Sequence, residues 1–415
     1  MERIILHSDL NNFFASVEAV LNPEYAKEGK FLAVCGLEED RHGIVLAKNE
    51  NAKRMGVKTG DPIWKARQKC PDLITVPPHF DAYNRYSKIV RSIYEEYTDE
   101  VEPFGMDECW LDVTHSTSLF GSGKKIADTI RKRVKSETGL SVSVGVSFNK
   151  VFAKLCSDLK KPDATTVVMS DDYQSRLWPL PAKEMLGVGY ATNEVLDRHG
   201  IFTIGDIART PPRYLEKLLG KNGTSLYNFA NGLDTSPVSP FDYVPTPQSL
   251  SHGVTCREDL QNNDEVRRII LYLCTDISKR LREKSLVAKS LSICIKDSLR
   301  NSREYSMNLN LSTRSGTTVF ENAARLFETS YNWENPVRAV TVRLSKLDCD
   351  SYPVKFDFFT DIARSERLEK KESAADKIRK VYGDTSLLPA SLLCDLKLPK
   401  IINEAALPPA IRASR

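Results

Sequence analysis

The stretch IILHSDLNNFFASVE, residues 4–18, decides the fold because it joins a short apolar strand to a helix through an acidic residue. The apolar run predicts a strand from Ile4 to about Ser8, and the spacing after it predicts a helix near Asn12–Val20. Asp9 ends this strand, where its carboxylate can point out of the edge of a sheet. An acid before a helix is also a common N-cap. This stretch alone therefore leaves both a capping role and a metal-binding role open for Asp9.

A second acidic stretch, Gly105–Met106–Asp107–Glu108, lies in the turn between two predicted strands. The neighbouring elements are predicted as a helix about Asp81–Tyr97, strands Val101–Phe104 and Cys109–Val113, a helix Lys124–Glu137, a strand Ser141–Ser147, a helix Lys150–Leu159 and a strand Thr166–Met169. An insert from about residue 31 to 77 is predicted to hold two strands and two helices. Without it the order is β-α-β-β-α-β, which is ferredoxin-like.

In such a sheet the first strand and the hairpin lie side by side, so Asp9, Asp107 and Glu108 can converge. Adjacent carboxylates in a turn are usually solvated charges, but between central strands they are costly unless cations neutralise them. Three carboxylates form a hard oxygen site suited to two Mg²⁺ ions and to in-line phosphoryl displacement. Convergence therefore favours the metal site over the capping and surface-charge alternatives.

The length of 415 residues exceeds what one hydrophobic core supports and predicts three or four domains. The net charge of +4 permits nucleic-acid binding without indicating it. Nine cysteines without a Cys-x-x-Cys pair favour a reducing cytoplasm over disulfides or structural zinc. We expect no signal peptide and no membrane span, because no apolar run approaches about 18 residues.

Prolines at Ser236–Pro240 and Pro245–Pro247 predict a linker after a helical stretch from about residue 171 to 232. Beyond the linker the β-α-β-β-α-β order recurs. Its long helix, about Asp264–Glu283, carries basic residues that either follow phosphates or form a solvated face. The same two alternatives apply to the lysines at positions 150, 154 and 161. A charged helix near Ser365–Val381 is predicted to be solvated.

Four stretches, Asp9–Glu18, Gly56–Pro62, Met106–Thr114 and Ser143–Lys154, resemble the Y-family DNA polymerases in order and spacing. The likeness covers about residues 2–350. It implies an α+β right-hand polymerase with a ferredoxin-like palm, small fingers, a helical thumb and a second ferredoxin-like little finger domain. It also implies low-fidelity translesion synthesis, in which a primer 3′-hydroxyl attacks the α-phosphate of a templated dNTP.

The resemblance implies a role for each matching residue at the centre. Asp9, Asp107 and Glu108 would be the catalytic carboxylates. With the backbone carbonyl of Leu10 they would hold two Mg²⁺ ions, for which Mn²⁺ is the alternative.

Further residues are implied to contact the nucleotide. Phe14 would be the steric gate, its ring lying where a ribose 2′-hydroxyl would clash, and Phe13 would pack beside it or belong to the core. Lys161 and Lys53 would reach the triphosphate. One departure stands out: the fingers helix carries Glu50 and Lys53, where the relatives usually have tyrosine and arginine. Lysine keeps the charge but loses the planar fork, and a glutamate near a triphosphate would repel it unless turned away.

DNA contacts are expected from the thumb, where Gly187 and Gly189 resemble a helix-hairpin-helix, although an ordinary two-helix loop is the alternative. Lys355–Phe359 weakly resembles a peptide that binds a sliding clamp. The expected partners are primer-template DNA, a dNTP and a sliding clamp, and we expect a monomer. The expected domains are palm 1–12 and 78–169, fingers 13–77, thumb 170–235, linker 236–247, little finger 248–350 and a tail 351–415.

Two other classes of function are considered. A catalytically silent DNA-binding adaptor would not need all three carboxylates. A nucleotidyl cyclase shares a two-metal palm-like fold but would not need the second β-α-β-β-α-β region or a helix-hairpin-helix.

Overall fold

The computed structural model describes residues 2–38, 41, 43–349 and 362–399. The chain forms two compact units, one mainly of residues 43–243 with the chain before Gly36, and the other mainly of Val244–Ile402. The segment Lys355–Phe359, predicted to bind a clamp, lies outside the described residues. No helix within the described ranges is long and apolar enough to cross a membrane.

The first unit contains two sheets and twelve α-helices among its described residues. Its strands are β1 Ile5–Leu10, β2 Phe31–Cys35, β3 Val45–Lys48, β4 Leu73–Val76, β5 Val101–Phe104, β6 Glu108–Asp112, β7 Val142–Ser147 and β8 Thr165–Val167. Its helices are α1 Phe13–Leu21, α2 Glu50–Arg54, α3 Ile63–Lys69, α4 Phe80–Glu95, α5 Thr117–Phe120, α6 Gly123–Thr138, α7 Lys150–Leu159, α8 Tyr173–Leu177, α9 Tyr190–Arg198, α10 Ile204–Arg209, α11 Pro212–Leu219 and α12 Lys221–Ala230.

The larger sheet has the strand order β5-β6-β1-β7-β8, with β1 antiparallel to both β6 and β7. All six residues of β1 are buried. The predicted β-α-β-β-α-β order is confirmed here, and its first strand is central. This position matters because two strands, each with its own side chains, flank the acid at the end of β1.

Helices cover both faces of this sheet. On one face Ser8 of β1 hydrogen-bonds Tyr94 of α4 at 2.8 Å, and on the other His7 hydrogen-bonds Ser157 of α7 at 2.8 Å. Alternate residues of β1 thus face different helices, as a strand requires. Helix α7 lies very close to β7, since a Cβ added to Gly145 would come within 1.9 Å of the Ala153 carbonyl oxygen. Only glycine permits this approach, which presses α7 against the end of β1.

The insert forms a second sheet of three strands in the order β3-β2-β4. The prediction of two strands was wrong, because β4 pairs in parallel with β2. This strand has only four residues and lies between prolines at 71 and 77. So short a run carries little periodic signal, and its pairing depends on a partner some 40 residues away in the chain.

Helices α8–α12 pack together with α7 around one core. Its buried members include Leu177, Leu196, Ile204, Leu215 and Leu226. Thr203 and Asp206 form a capping box that starts α10. The helical stretch predicted for residues 171–232 is therefore confirmed.

The second unit repeats the element order with a different pairing. Its elements are β9 Ser249–Leu260, α13 Asn263–Glu283, β10 Leu286–Asp297, β11 Ser302–Thr313, α14 Gly316–Ser330, β12 Val337–Cys349 and α15 Ile362–Tyr382. The strand order is β11-β10-β12-β9, so the first strand lies at an edge. Both helices α13 and α14 contribute to the core on one face, and exposed residues alternate with partly buried ones over the first half of β9.

Helix α15 corresponds to the charged helix predicted at Ser365–Val381; one side of it is exposed as predicted, but acids on another side bind basic residues of the second unit. Glu372 and Asp376 bind Arg282 of α13 at 2.7 and 2.6 Å, and Glu369 binds Arg314 at 3.0 Å. Glu372 also accepts from the backbone N–H of Gly316 at 2.7 Å, at the start of α14. A carboxylate at a helix N-terminus is favourable. Arg282, one of the basic residues proposed to follow phosphates, is used in this contact.

Candidate active site

The acids at the ends of β1 and β6 are neighbours. Asp9 pairs with Glu108 in the antiparallel register, and the backbone N–H of Leu10 donates to the Asp107 carbonyl at 3.0 Å. Paired residues in a sheet project from the same face, with Cβ atoms about 4.5–5.5 Å apart. The structure therefore brings together the three carboxylates that the sequence singled out, together with Leu10.

The carboxylates influence each other's ionisation. Burial and the neighbouring charges of Glu108 and Asp9 raise the pKa of Asp107 to about 6. Burial also raises the pKa of Asp9, which the nearby Lys161 only partly offsets. Burial acts on Glu108 in the same direction, but the hydrogen bond from His7 and the charge of Lys154 outweigh it and lower its pKa to about 2. Negative charge is thus crowded into a partly desolvated place, where a cation would be stabilised.

Two lysines already provide positive charge there. Lys161 donates to Asp9 at 2.8 Å and lies 2.8 Å from Asp158, while Lys154 donates to Glu108. Lys150 instead binds Glu102 at 2.7 Å and lies over the Trp110 ring. The three lysines of this region are therefore not a solvated helix face, and they serve different partners.

The donor chemistry fits a hard divalent cation, because carboxylate and carbonyl oxygens are the ligands that Mg²⁺ and Mn²⁺ prefer. Within the described part of the chain, no group of three His, Cys, Asp or Glu side chains is already arranged to hold an ion. Asp9 and Glu108 each face a lysine instead. An ion at this place would therefore share each of these carboxylates with an ammonium group.

His7 belongs to the site although its sequence position gave no functional signal. It lies two residues before Asp9, so it projects from the same face of β1. Its Nε2 lies 3.2 Å from the Oε2 of Glu108, and its Nδ1 lies 2.8 Å from the Ser157 hydroxyl. Burial lowers the pKa of His7, which favours the neutral ring. The available clue was strand alternation, which places His7 on the face of β1 that carries Asp9.

Phe13 and Phe14 begin α1 and have different environments. Phe13 is buried, with 3% of its surface exposed, and belongs to the core. Phe14 is only partly buried and its ring stacks on Tyr83, with centroids 4.3 Å apart and planes 10° apart. Phe80 meets Phe14 edge-on at 5.9 Å. The Phe14 ring is therefore held in one orientation while part of it stays accessible.

The divergent fingers residues make a small polar network. Glu50 accepts a hydrogen bond from the Asn12 side chain at 2.9 Å, and Lys53 lies 3.4 Å from the same carboxylate oxygen. Burial would raise the pKa of Glu50, but the Asn12 hydrogen bond and the charge of Lys53 lower it below its usual range. Glu50 thus stays ionised and links α2 to the residue that precedes α1.

In the helical part, Gly187 and Gly189 differ in backbone conformation and in the space that a side chain would have. Gly187 has φ of +89°, a conformation that favours glycine, and a Cβ there would lie 3.3 Å from Leu226. Gly189 precedes α9, and an added Cβ would meet nothing within 4 Å. Open space before a helix N-terminus gives a ligand access to the backbone N–H groups.

Comparisons with known proteins agree with this arrangement. Residues 8–158 match the impB/mucB/samB family, residues 247–358 its C-terminal domain, and residues 183–234 the DNA polymerase-iota thumb domain. The DNA polymerase IV of Acetivibrio thermocellus is 45% identical over 401 residues, which cover 97% of this chain and all of that protein. DNA polymerase IV 1 of Bacillus subtilis is 35% identical over 384 residues, covering 92% and 91%.

Solved structures give the same result. A Y-family DNA polymerase chimera of Dbh and Dpo4 superposes with a TM-score of 0.73 at 26% identity, covering 83% of this chain and 99% of that one. A ternary complex of Dbh superposes with a TM-score of 0.58 at 26% identity, covering 82% and 98%.

Proposed function

The chain belongs to the Y family of DNA polymerases, among the DNA polymerase IV enzymes, and from this we propose how its residues perform the reaction. It is a DNA-directed DNA polymerase of the translesion type, with the α+β right-hand fold of that family. The family uses divalent metals. The adaptor and cyclase alternatives are thereby set aside, and the open question is which side chain does what.

The observation that carries the proposal is the pairing of Asp9 with Glu108, with Asp107 beside them. We assign these three carboxylates, with the Leu10 carbonyl, as the ligands of two Mg²⁺ ions, or of Mn²⁺ in their place. Such ions stabilise charge on the attacking and leaving oxygens of an in-line phosphoryl transfer. The raised pKa of Asp107 supports the assignment, because burial and the nearby charges of Glu108 and Asp9 disfavour its ionised form, which a cation would stabilise.

Lys161 is assigned to the triphosphate. It lies against Asp9, so its ammonium is already at the centre where the phosphates would be bound. A polyphosphate would offer it more negative charge than one carboxylate. Lys53 of the fingers is assigned a weaker contact, because its side chain is half exposed and shares Glu50 as a partner.

Phe14 is assigned as the steric gate and Phe13 as its support. The Phe14 ring is pinned by Tyr83 and Phe80, so it cannot turn aside for a larger sugar. A rigid ring of this kind discriminates by excluding volume. Phe13 is buried behind it and acts through packing alone.

For DNA we assign the loop of Gly187 and Gly189 to a backbone phosphate. We assign the exposed face of the sheet in the second unit, strands β9–β12, to the duplex. That face lines a groove with Ser249, Ser292, Ser306, Arg343 and Lys346. Hydroxyl and basic side chains are typical donors to phosphates. The ternary complex among the similar structures supports an assignment of DNA and substrate binding.

The expected domain boundaries are retained as part of the proposal. The matches of residues 183–234 to a thumb domain and 247–358 to a family C-terminal domain support the thumb and little finger. We propose a monomer that works with a sliding clamp, and Lys355–Phe359 is the candidate clamp segment.

The test replaces Asp107 or Glu108 by alanine. Primer extension with Mg²⁺ should be abolished, while the dissociation constant for primer-template DNA should change little, because the duplex is held elsewhere. Glu96→Gln is the matched control, since it removes an exposed carboxylate of the same unit that binds Arg133. Wild-type turnover in either alanine variant would show that the metal assignment is wrong.

A further inference from the structure

The environment of His7 is more specific than packing requires. The residue is fully buried, with 0% of its surface exposed, and both ring nitrogens have polar partners. Its ring also meets Trp110 edge-on, with centroids 5.3 Å apart. A buried polar ring held on three sides has one orientation.

The positions of the hydrogens follow from the partners. Glu108 also faces the ammonium of Lys154, so its carboxylate is ionised and can only accept. Nε2 therefore carries a hydrogen and donates to Glu108, while Nδ1 lies 2.8 Å from the Ser157 hydroxyl. The Ser157 hydroxyl also donates to the Lys154 carbonyl at 2.7 Å, which ties it to the turn of α7 that carries Lys154.

Both donors to Glu108 reach the same atom. His7 and Lys154 each contact Oε2, and no other described residue donates a hydrogen bond to the carboxylate side chain. Two donors on one oxygen fix the rotation of the carboxylate and leave Oε1 available to another ligand.

We propose that His7 is a positioning residue of the polymerase reaction, which holds Oε2 of Glu108 so that Oε1 is presented to the catalytic cation. Ser157, hydrogen-bonded to Nδ1, holds the ring in the orientation that this contact requires. The proposal rests on the proposed role of Glu108 as a cation ligand. Groups that orient a metal ligand through a hydrogen bond commonly change metal affinity or activity by about 10–100-fold when removed.

The experiment measures Mn²⁺ binding by calorimetry to the full chain with primer-template DNA and no nucleotide, so that turnover is not involved. His7→Phe keeps the ring volume and removes the donor, and should weaken Mn²⁺ binding by about 10–100-fold. His7→Gln places an amide N–H near the Nε2 position and should recover part of this loss. Ser157→Ala should weaken binding less, in the same direction. The Mg²⁺ concentration for half-maximal primer extension should rise in the same order.

Ser147→Ala is the matched control for Ser157→Ala. Ser147 is also buried, and its hydroxyl donates to the Val168 carbonyl at 2.7 Å. It should lower the melting temperature without changing Mn²⁺ affinity. An equal loss of affinity in Ser147→Ala would overturn the proposal, because general loosening would explain the data.

Unchanged Mn²⁺ affinity in His7→Phe would also overturn it, as would an equal loss in His7→Phe and His7→Gln. If His7→Phe does not fold, His7→Gln and Ser157→Ala decide: wild-type affinity in both overturns the proposal. Glu108→Gln distinguishes a failure of the cation-ligand role of Glu108 from a failure of the positioning role of His7. Wild-type affinity there overturns the role of Glu108 and with it that of His7, whereas weakened affinity there beside wild-type affinity in His7→Phe overturns His7 alone.

Discussion

The two large sheets of this molecule have the same element order but differ in which strands pair. In the first unit β1 is central and lies beside the hairpin strand β6. In the second unit β9 is an edge strand and pairs only with the last strand, β12. The order of elements therefore does not determine where the first strand lies.

This difference in pairing decides in which of the two sheets acidic side chains from separate strands come together. In the first sheet Asp107, in the hairpin turn, lies beside Leu10 of β1 and near the carboxylates of Glu108 and Asp9. In the sheet of the second unit, the turn between β10 and β11 has Asp297. Its carboxylate accepts from the Asn301 backbone N–H at 2.8 Å and from the Asn301 side chain at 3.0 Å. That acid closes its own turn, and no first strand adjoins it. A central first strand, more than acidic residues as such, creates the candidate site.

The largest expected effect concerns the helix that follows the central strand. Phe14→Ala should improve ribonucleotide incorporation relative to deoxynucleotide incorporation by at least about a hundredfold, because the volume that excludes the 2′-hydroxyl is removed. The measurement is the ratio of dCTP to CTP incorporation efficiency opposite template G.

Phe13→Leu is the control for that experiment, since Phe13 lies in the core beside Phe14. Phe13→Leu should lower the melting temperature and change the dCTP/CTP ratio far less than Phe14→Ala does. If Phe14 were only a core residue, its truncation would cost about 3–5 kcal/mol of stability and reduce both activities in parallel. An unchanged ratio in Phe14→Ala would exclude the gate.

The next effect compares one glycine in each sheet. A Cβ at Gly145 would lie 1.9 Å from the Ala153 backbone oxygen, whereas one at Gly253 of β9 would lie 2.2 Å from the Thr341 side-chain oxygen. Gly145→Ala should lower the free energy of unfolding by about 3 kcal/mol or more, and Gly253→Ala by about 1 kcal/mol. Thermal and urea unfolding of both variants measure this.

A second substitution sharpens that comparison. Thr341→Ala should recover part of the stability lost in Gly253→Ala, because it removes the clashing atom. No side-chain deletion can do the same for Gly145→Ala, since the obstacle is backbone. Equal losses in the two glycine variants would mean that α7 does not need its close contact with β7.

Particular elements show how far the sequence could lead. Residue spacing predicted the strands and helices of both sheets and the meeting of Asp9 with Glu108, because alternation and turn residues are local signals. The edge position of β9 could not be predicted, since pairing depends on the other strands. The contacts of α15 were missed for a similar reason: Glu369, Glu372 and Asp376 recur at helical spacing, but their partners, Arg282 and Arg314, lie in distant parts of the chain. His7 was missed because a single histidine forms no spaced pattern that indicates a function.

A smaller effect tests whether the sheet of the second unit binds the DNA duplex. Arg343 pairs across the sheet with Ser292 and lies on the exposed face, while Arg303 pairs with the buried Ile295 on the other face. Arg343→Ala should weaken DNA binding a few-fold and make the slope of log K against log[salt] shallower by about 0.9. Arg303→Ala removes the same charge and should leave the slope unchanged. Equal slopes in the two variants would show that the exposed face does not grip the duplex.

The smallest effect concerns the turn after each first strand. Asn262 caps α13 in the usual way, by accepting from the Glu265 backbone at 3.0 Å, but Asn12 has φ of +49° and makes no cap. The Asn12 side chain donates to Glu50 instead, and Glu50 in turn holds Lys53.

Glu50→Gln keeps an oxygen for Asn12 and removes the charge that competes with a triphosphate for Lys53. The Michaelis constant for dNTP should fall by about two- to fivefold, because a charge pair of this exposure is worth only about 0.2–1 kcal/mol. Glu50→Ala removes the acceptor as well and should not share the full gain, since Asn12 loses its partner. A large loss of turnover in Glu50→Gln would contradict this account and indicate that Glu50 helps to hold a cation.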